Sequence, residues 1–139
     1  MKKITGYTQG TFDMFHIGHL NLLRNARANC DHLIVGVNTD ELVKDYKKKL
    51  PIVPLKERME IIRAIRYVDE VVGAETLDKT VMWDRLHFDE IYIGDDWKGN
   101  ARWEKTEEDM KALGVKLVYL PHTKDTSSTI LREKIRDFS

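Results

Sequence analysis

The sequence predicts an α/β protein: a single domain, residues 1–139, built on a parallel five-stranded sheet with helices on both faces. Three observations carry this. A chain of 139 residues is long enough for one sizeable core and too short for two. Five short runs rich in Val, Ile and Tyr recur, nearly continuous in apolar residues, as strands buried on both faces are. Between them apolar residues return at spacings of three and four, the period of a helix with one buried face.

The first run, around Ile4–Thr8, is a strand that enters Gly10, Thr11, Phe12 and Asp13. A helix then begins near Gly18, with Leu20, Leu23 and Arg27 on one face and Cys30 inside it. The second strand is "HLIVGVN", His32–Asn38, followed by a short helical turn and a lysine-rich flexible loop, Lys44–Pro54. Pro54 can open the next helix at its first position, and Leu55, Met59, Ile62 and Ala64–Ile65 mark its apolar face. Strands three to five are Tyr67–Gly73, Glu90–Asp96 and Val115–Pro121, and Trp83 and Trp103 between them read as helix packing. The closing stretch "STILREKIRDF" places Ile130 or Leu131, Lys134, Ile135 and Phe138 at helical spacing, an amphipathic last helix.

Composition narrows the partners. With 23 basic and 23 acidic side chains the net charge is zero, so no global field draws in nucleic acid or a membrane surface, and an anionic ligand is caught locally. No nucleic-acid reader motif is present in the sequence. The single cysteine excludes an internal disulfide framework and fits a reducing compartment; Cys30 reads as buried packing. The amino terminus has two lysines but no apolar segment behind them, and no apolar run approaches the ~20 residues of a membrane span. A cytoplasmic protein is expected.

Strands alternating with helices give right-handed crossovers and a sheet that binds ligands at its carboxyl edge. The polar residues after each strand are therefore the candidates. In "GTFDMFHIGHL", a glycine-containing turn leads into a helix, where backbone N–H groups and the helix dipole favour an anion such as phosphate. His16 and His19, three apart across the first turn, can both donate to phosphate oxygens, and Gly18 allows close approach. A core histidine beside a surface one is the plainer account of the pair. A zinc site needs a third ligand, and His87 and His122 lie in unrelated segments.

"GTFDMFHIGH" resembles the His-x-Gly-His signature of the nucleotidyltransferase superfamily, and "TSSTILR", Thr126–Arg132, is similar to its second signature, with Thr126 where isoleucine is usual. "RYVDEV", Arg66–Val71, and "GDDWKG", Gly94–Gly99, resemble the corresponding segments of glycerol-3-phosphate cytidylyltransferases, and the resemblance runs from Tyr7 to about Ile135. It implies a Rossmann-like fold, a homodimer, and transfer of a cytidylyl group from CTP to glycerol 3-phosphate, giving CDP-glycerol and pyrophosphate for teichoic acid or capsule precursors. It also implies a magnesium ion held mainly through the nucleotide phosphates, with no protein-built metal site. By the same resemblance His16, His19, Lys47 and Arg132 are the catalytic residues. Gly10, Thr11, Phe12, Gly18, Lys49, Asp96, Trp97, His122, Thr123, Ser127, Ser128 and Thr129 bind the nucleotide, and Asp13, Lys47 and Arg66 bind the acceptor. Asp13 could orient the ion's water shell or cap the following helix. Arg58, eight residues before Arg66, is close enough in helical phase to share its face, or is an exposed helix charge.

The chain departs from the family where the last strand ends. The family writes Arg-Thr-x-Gly-Ile-Ser-Thr-Thr; this chain reads "HTKDTSST", so that His122 stands for the arginine, Asp125 for the glycine and Thr126 for the isoleucine. Arg132, Lys124 or a lysine of the loop could offset the lost guanidinium, which a neutral imidazole does not match. Nucleobase and acceptor are therefore the open choices, the alternative being a cytidylyl- or adenylyltransferase for another polyol or sugar phosphate.

Overall fold

A computed structural model describes residues 2–123 and 127–138; Lys124, Asp125 and Thr126, with their departures from the family wording, lie outside the described residues. The strands are β1 (Thr5–Gly10), β2 (His32–Asn38), β3 (Glu70–Ala74), β4 (Glu90–Gly94) and β5 (Lys116–Leu120). The helices are α1 (Ile17–Ala28), α2 (Asp40–Lys47), α3 (Leu55–Arg63), α4 (Lys79–Leu86), α5 (Ala101–Ala112) and α6 (Ser128–Phe138), with a 3-10 turn at Asp95–Trp97. All strand pairs are parallel, in the order β3-β2-β1-β4-β5. The chain therefore leaves β1 toward β2 on one side and reaches β4 on the other, which opens a crevice above the carboxyl ends of β1 and β4.

Each face of the sheet has its own core. Leu23 and Ala26 of α1 and Ile62 of α3 pack with Leu33, Val35, Val37 and Tyr92 on one face. Met82 of α4 and Trp103 and Met110 of α5 pack with Tyr7, Ile34, Ile91 and Ile93 on the other. Tyr7 lies across β2 because Gly36 has no side chain: a Cβ there would stand 2.1 Å from the Tyr7 hydroxyl. Among the described residues no helix is long and apolar enough to cross a membrane.

Three local readings change. Lys44 and Lys47 belong to the last turn of α2, where their charge meets the helix's negative end, and the irregular stretch begins only at Lys48 in the left-handed region (φ 62°). Cys30 lies beyond the end of α1, buried and donating to the Ala26 carbonyl, and burial raises its thiol pKa, which suits packing. Strand three starts at Glu70, because Arg66 and Tyr67 sit in the turn that brings the chain back to the amino edge of the sheet.

Candidate active site

The α1 entry orders both histidines by satisfying helix-end N–H groups. His16 is the N-cap: its Nδ1 accepts from the Gly18 amide at 3.0 Å, while His19 Nδ1 accepts from the His16 amide at 3.3 Å. The rings stack with centroids 3.8 Å apart, and His19 also lies against Phe12 and Phe15. Burial lowers the pKa of both, bringing His19 down to about 3 with the neighbouring His16 adding to the effect. A neutral imidazole whose Nδ1 accepts carries its proton on Nε2. Both rings are thus neutral Nε2–H donors, and the Nε2 of His16 is buried with no partner among the described residues. An unpaired buried donor at a helix N-terminus is a place for an anionic oxygen.

The loop that carries the first signature is strained and tied down. Phe12 and Met14 have positive φ, 54° and 49°, a conformation that costs a side-chain-bearing residue on the order of 1–3 kcal/mol. Arg58 holds it in place. Its side chain is 1% exposed and donates to the carbonyls of Thr11, Asn38 and Val53, each at 2.8 Å, and to Asp40 at 2.5 Å. Arg58 is therefore neither an exposed helix charge nor a partner of Arg66; it joins the ends of β1 and β2 to the start of α3.

Asp13 does the same for the other half of the site. Its carboxylate, 2% exposed, accepts from the amides of Ile52 and Val53, both at 2.8 Å, and from Arg132 Nη2 at 2.6 Å. Its carbonyl accepts from the Ser128 hydroxyl. Burial by itself raises a carboxyl's pKa; here the two amides and the Arg132 guanidinium outweigh it and hold Asp13 below the ordinary carboxylate value. The expected helix cap is supplied by His16 instead, and the expected acceptor contact would share a carboxylate that already accepts three hydrogen bonds within the chain. Asp13 binds the chain's own segments: the first loop, the stretch after the lysines and α6.

These elements enclose a cleft of about 400 Å³, within the range of small-molecule sites. Of the residues named from the sequence, Gly10, Thr11, Phe12, Asp13, His16, Gly18, His19, Lys47, Asp96, Trp97, Ser127, Ser128, Thr129 and Arg132 line it. Ser127 caps α6 by accepting from the Ile130 amide at 3.0 Å. The close turn after β4 needs Gly94, where a Cβ would stand 2.5 Å from an Asp96 carboxylate oxygen.

Four residues are not among those lining the cleft. Lys49 is exposed beyond the left-handed turn at Lys48. Arg66, exposed before β3, stands at the amino edge of a parallel sheet whose cleft is at the carboxyl edge, and the structure does not bring it to that cleft. Thr123 accepts from the Asn21 side chain at 2.9 Å, and the His122 ring is hydrogen-bonded to Asp95, which that contact holds below its usual pKa. Asp95, Asp96 and His122 form the one group of three potential metal ligands among the described residues, all exposed.

Sequence reasoning missed the opposite rim. Gln9, Asn38 and Tyr46 complete the cleft, with Gln9 donating to the Asn38 side chain at 2.9 Å. Lys79, at the start of α4, lines it at 7% exposure, donating to the Leu77 carbonyl at 2.8 Å and standing 5.0 Å from the Trp103 ring centre. Burial foremost, and then Arg102, bring its ammonium down to about 8. No local pattern marks Lys79; a lysine at the first position of a helix that follows an edge strand is the only cue.

A parallel sheet crossed at its switch point by a cleft with two imidazoles, a hydroxyl-bearing helix start and two cations is built to hold an anionic, phosphate-like ligand, as nucleotidyltransferase-type Rossmann proteins do. The comparisons agree. Residues 7–134 match the family model described as cytidylyltransferase-like, and the chain belongs to that family of nucleotidyl-transferring enzymes. It is 35% identical to the glycerol-3-phosphate cytidylyltransferase of Bacillus subtilis (strain 168), over 97% of this chain and 98% of that protein. It is also 40% identical to an FAD synthase of Thermococcus kodakarensis, over 82% of this chain and 76% of that one. Among solved structures, the lipopolysaccharide core biosynthesis protein of Thermoplasma volcanium GSS1 superposes with a TM-score of 0.77 at 25% identity, covering 88% of this chain and all of that one.

Proposed function

We propose that the protein transfers the cytidylyl group of CTP to a small polyol phosphate, glycerol 3-phosphate first among them, releasing pyrophosphate. The observation that carries this reading is the pair of imidazoles at the α1 N-terminus, each with its Nδ1 accepting from a backbone amide, which line one cleft together with Arg132 and Ser128. The near full-length similarity to a protein named for glycerol 3-phosphate supports the choice of acceptor. The FAD synthase similarity supports adenylyl transfer as the second reading.

On this reading an oxygen of the acceptor phosphate attacks the α-phosphorus in line, the bond to the bridging oxygen breaks, and pyrophosphate leaves. An ionised phosphate needs no base, so the chain's task is to position two anions and stabilise charge on the leaving oxygens. His16 and His19 donate to the triphosphate without carrying charge themselves. Arg132, aligned by Asp13, neutralises pyrophosphate with the guanidinium nitrogens that Asp13 leaves free, and Lys47 brackets the phosphates from α2. With three hydrogen bonds and the Arg132 cation already on the Asp13 carboxylate, a magnesium ion would fit here mainly as one carried by the nucleotide phosphates and water. Bound in that way, it supplies charge neutralisation. A homodimer that feeds cell-wall or capsule polymer synthesis is part of the same proposal.

The test mixes the purified protein, magnesium, CTP or ATP, and a panel of polyol phosphates, and follows pyrophosphate release. Release with CTP and glycerol 3-phosphate is expected. No release with CTP and any acceptor overturns the reading, and release with ATP alone replaces it by the adenylyl one.

A further inference from the structure

The two ends of α2 are anchored in different ways. At its start Asp40 accepts from Arg58 and from the Leu55 amide, and Val43 is buried one turn later. Beyond Val43 the residues of α2 are exposed, and among the described residues their one hydrogen-bonding tie outside the helix is the Tyr46 hydroxyl. That hydroxyl stands 3.0 Å from the Thr11 hydroxyl and accepts from the Asn38 side-chain amide at 3.3 Å, an amide that also donates to Thr11 at 3.3 Å. The triangle joins the end of α2 to the carboxyl ends of β1 and β2. Gln9 fixes its base by donating to the Asn38 side chain at 2.9 Å.

Lys47 is the residue after this tie. It follows Val43 by four positions, so it shares the face that α2 turns inward, and its ammonium stands 5.8 Å from the Tyr46 ring centre. Tyr46 and Lys47 both line the cleft, whereas Lys44, Lys48 and Lys49 do not. A lysine is a point charge on a flexible stem, so where its charge falls depends on how firmly its backbone is held. We propose that Tyr46 is a positioning residue for Lys47: its hydroxyl pins the last turn of α2 to the ends of β1 and β2, and so directs the Lys47 ammonium into the cleft. This rests on the reading of the cleft as a nucleotidyl-transfer site in which Lys47 brackets the phosphates. Binding of a polyphosphate is shared among several donors, so a misplaced Lys47 is felt less in the bound substrate than in the transition state, where placement is critical.

The experiment follows pyrophosphate release with magnesium, glycerol 3-phosphate and CTP, or ATP should that be the nucleotide consumed, in the wild type, Tyr46→Phe, Lys47→Ala and the double variant. Tyr46→Phe keeps the ring and removes only the hydroxyl; kcat is expected to fall about tenfold while KM for the nucleotide moves less than about threefold. In the Lys47→Ala background the same substitution is expected to change kcat less than about twofold, because a residue that acts through Lys47 has nothing left to position. An unchanged kcat in Tyr46→Phe overturns the proposal. So does an equal fall on both backgrounds, which would mean that Tyr46 acts through Thr11 or through the fold. If neither nucleotide yields pyrophosphate with any acceptor, the functional reading has failed, and calorimetric binding of inorganic triphosphate then judges the positioning alone. Binding weakened about threefold by Tyr46→Phe in the wild type but not in Lys47→Ala supports it, and equal or absent binding overturns it.

Discussion

On and behind the α1 rim of the cleft, Asp13 and Arg58 are buried charges whose described contacts are all made inside the chain. On the α4/α5 rim, Lys79 has one carbonyl and the Trp103 N–H has nothing. The two rims are about equally buried, so burial does not set them apart. What differs is where the compensation for desolvation comes from. A charge bonded to several groups of the chain has its desolvation compensated within the fold; a buried donor without a partner leaves that cost uncompensated. Substitutions on the first rim should therefore unfold the protein, and substitutions on the second should cost it little stability.

The largest effect is expected at Arg58 and Asp13. Arg58→Ala strips hydrogen bonds from three carbonyls and leaves Asp40 with only the Leu55 amide; breaking a pair buried on the arginine side should cost up to about 3–5 kcal/mol. Asp13→Ala leaves two amides and Arg132 unpaired and should behave alike. Urea titration measures both, and a loss below about 1 kcal/mol would erase the contrast between the rims.

His16 belongs to both categories, and a pair of substitutions separates them. His16→Ala removes the helix cap, costing about 1 kcal/mol, and also an Nε2–H donor, whose loss lowers kcat about 10²–10³. Asparagine caps a helix as well as any residue, so His16→Asn should recover the melting temperature while kcat stays low. Recovery of turnover in the asparagine variant would show that the cap, and not the donor, matters.

Acid should loosen the α1 rim first. Unfolded histidine binds a proton near 6.5, whereas folded His19 holds off to about 3, so the unfolded state carries more protons in between. Stability from His19 is full above 6.5 and declines as pH falls toward 3, with Asp13 adding to the loss below 3.8, its unshifted value. Urea midpoints at stepped pH follow this, and His19→Gln should flatten the upper part of the slope.

At Lys79 the smallest change in stability is expected, and with the opposite sign. Its folded pKa of about 8 lies below the unfolded 10.5, so its unfavourable burial is fully felt below 8 and relieved as pH rises to 10.5. Lys79→Met should keep or slightly raise the melting temperature at pH 7 while raising KM for a phosphate-bearing acceptor. A fall of several degrees would mean that Lys79 serves the fold in the way Arg58 does.

Much of this was legible in the residues. The five strand runs and the helix between Pro54 and Ile65 follow from apolar spacing, and the signature around His16, Gly18 and His19 lies within a few residues at one strand end. Arg58 and Arg66 misled for one reason: their helical phase is similar, but phase does not say at which edge of the sheet a residue ends. Arg58 opens α3 beneath the carboxyl edge, and Arg66 follows α3 down to the amino edge.

The sequence by itself determined the α/β class, the parallel sheet, and the glycine-containing turn that opens α1, because each depends on contacts or periodicities within about twenty residues. Only the tertiary structure decided which charges became frame and which stayed open. Asp13 meets Arg132 across 119 positions, and Arg58 meets Thr11 across 47. Lys79 and Trp103 come together from two helices that share no motif. Desolvation and unpaired donors are properties of such meetings, and no local pattern encodes them.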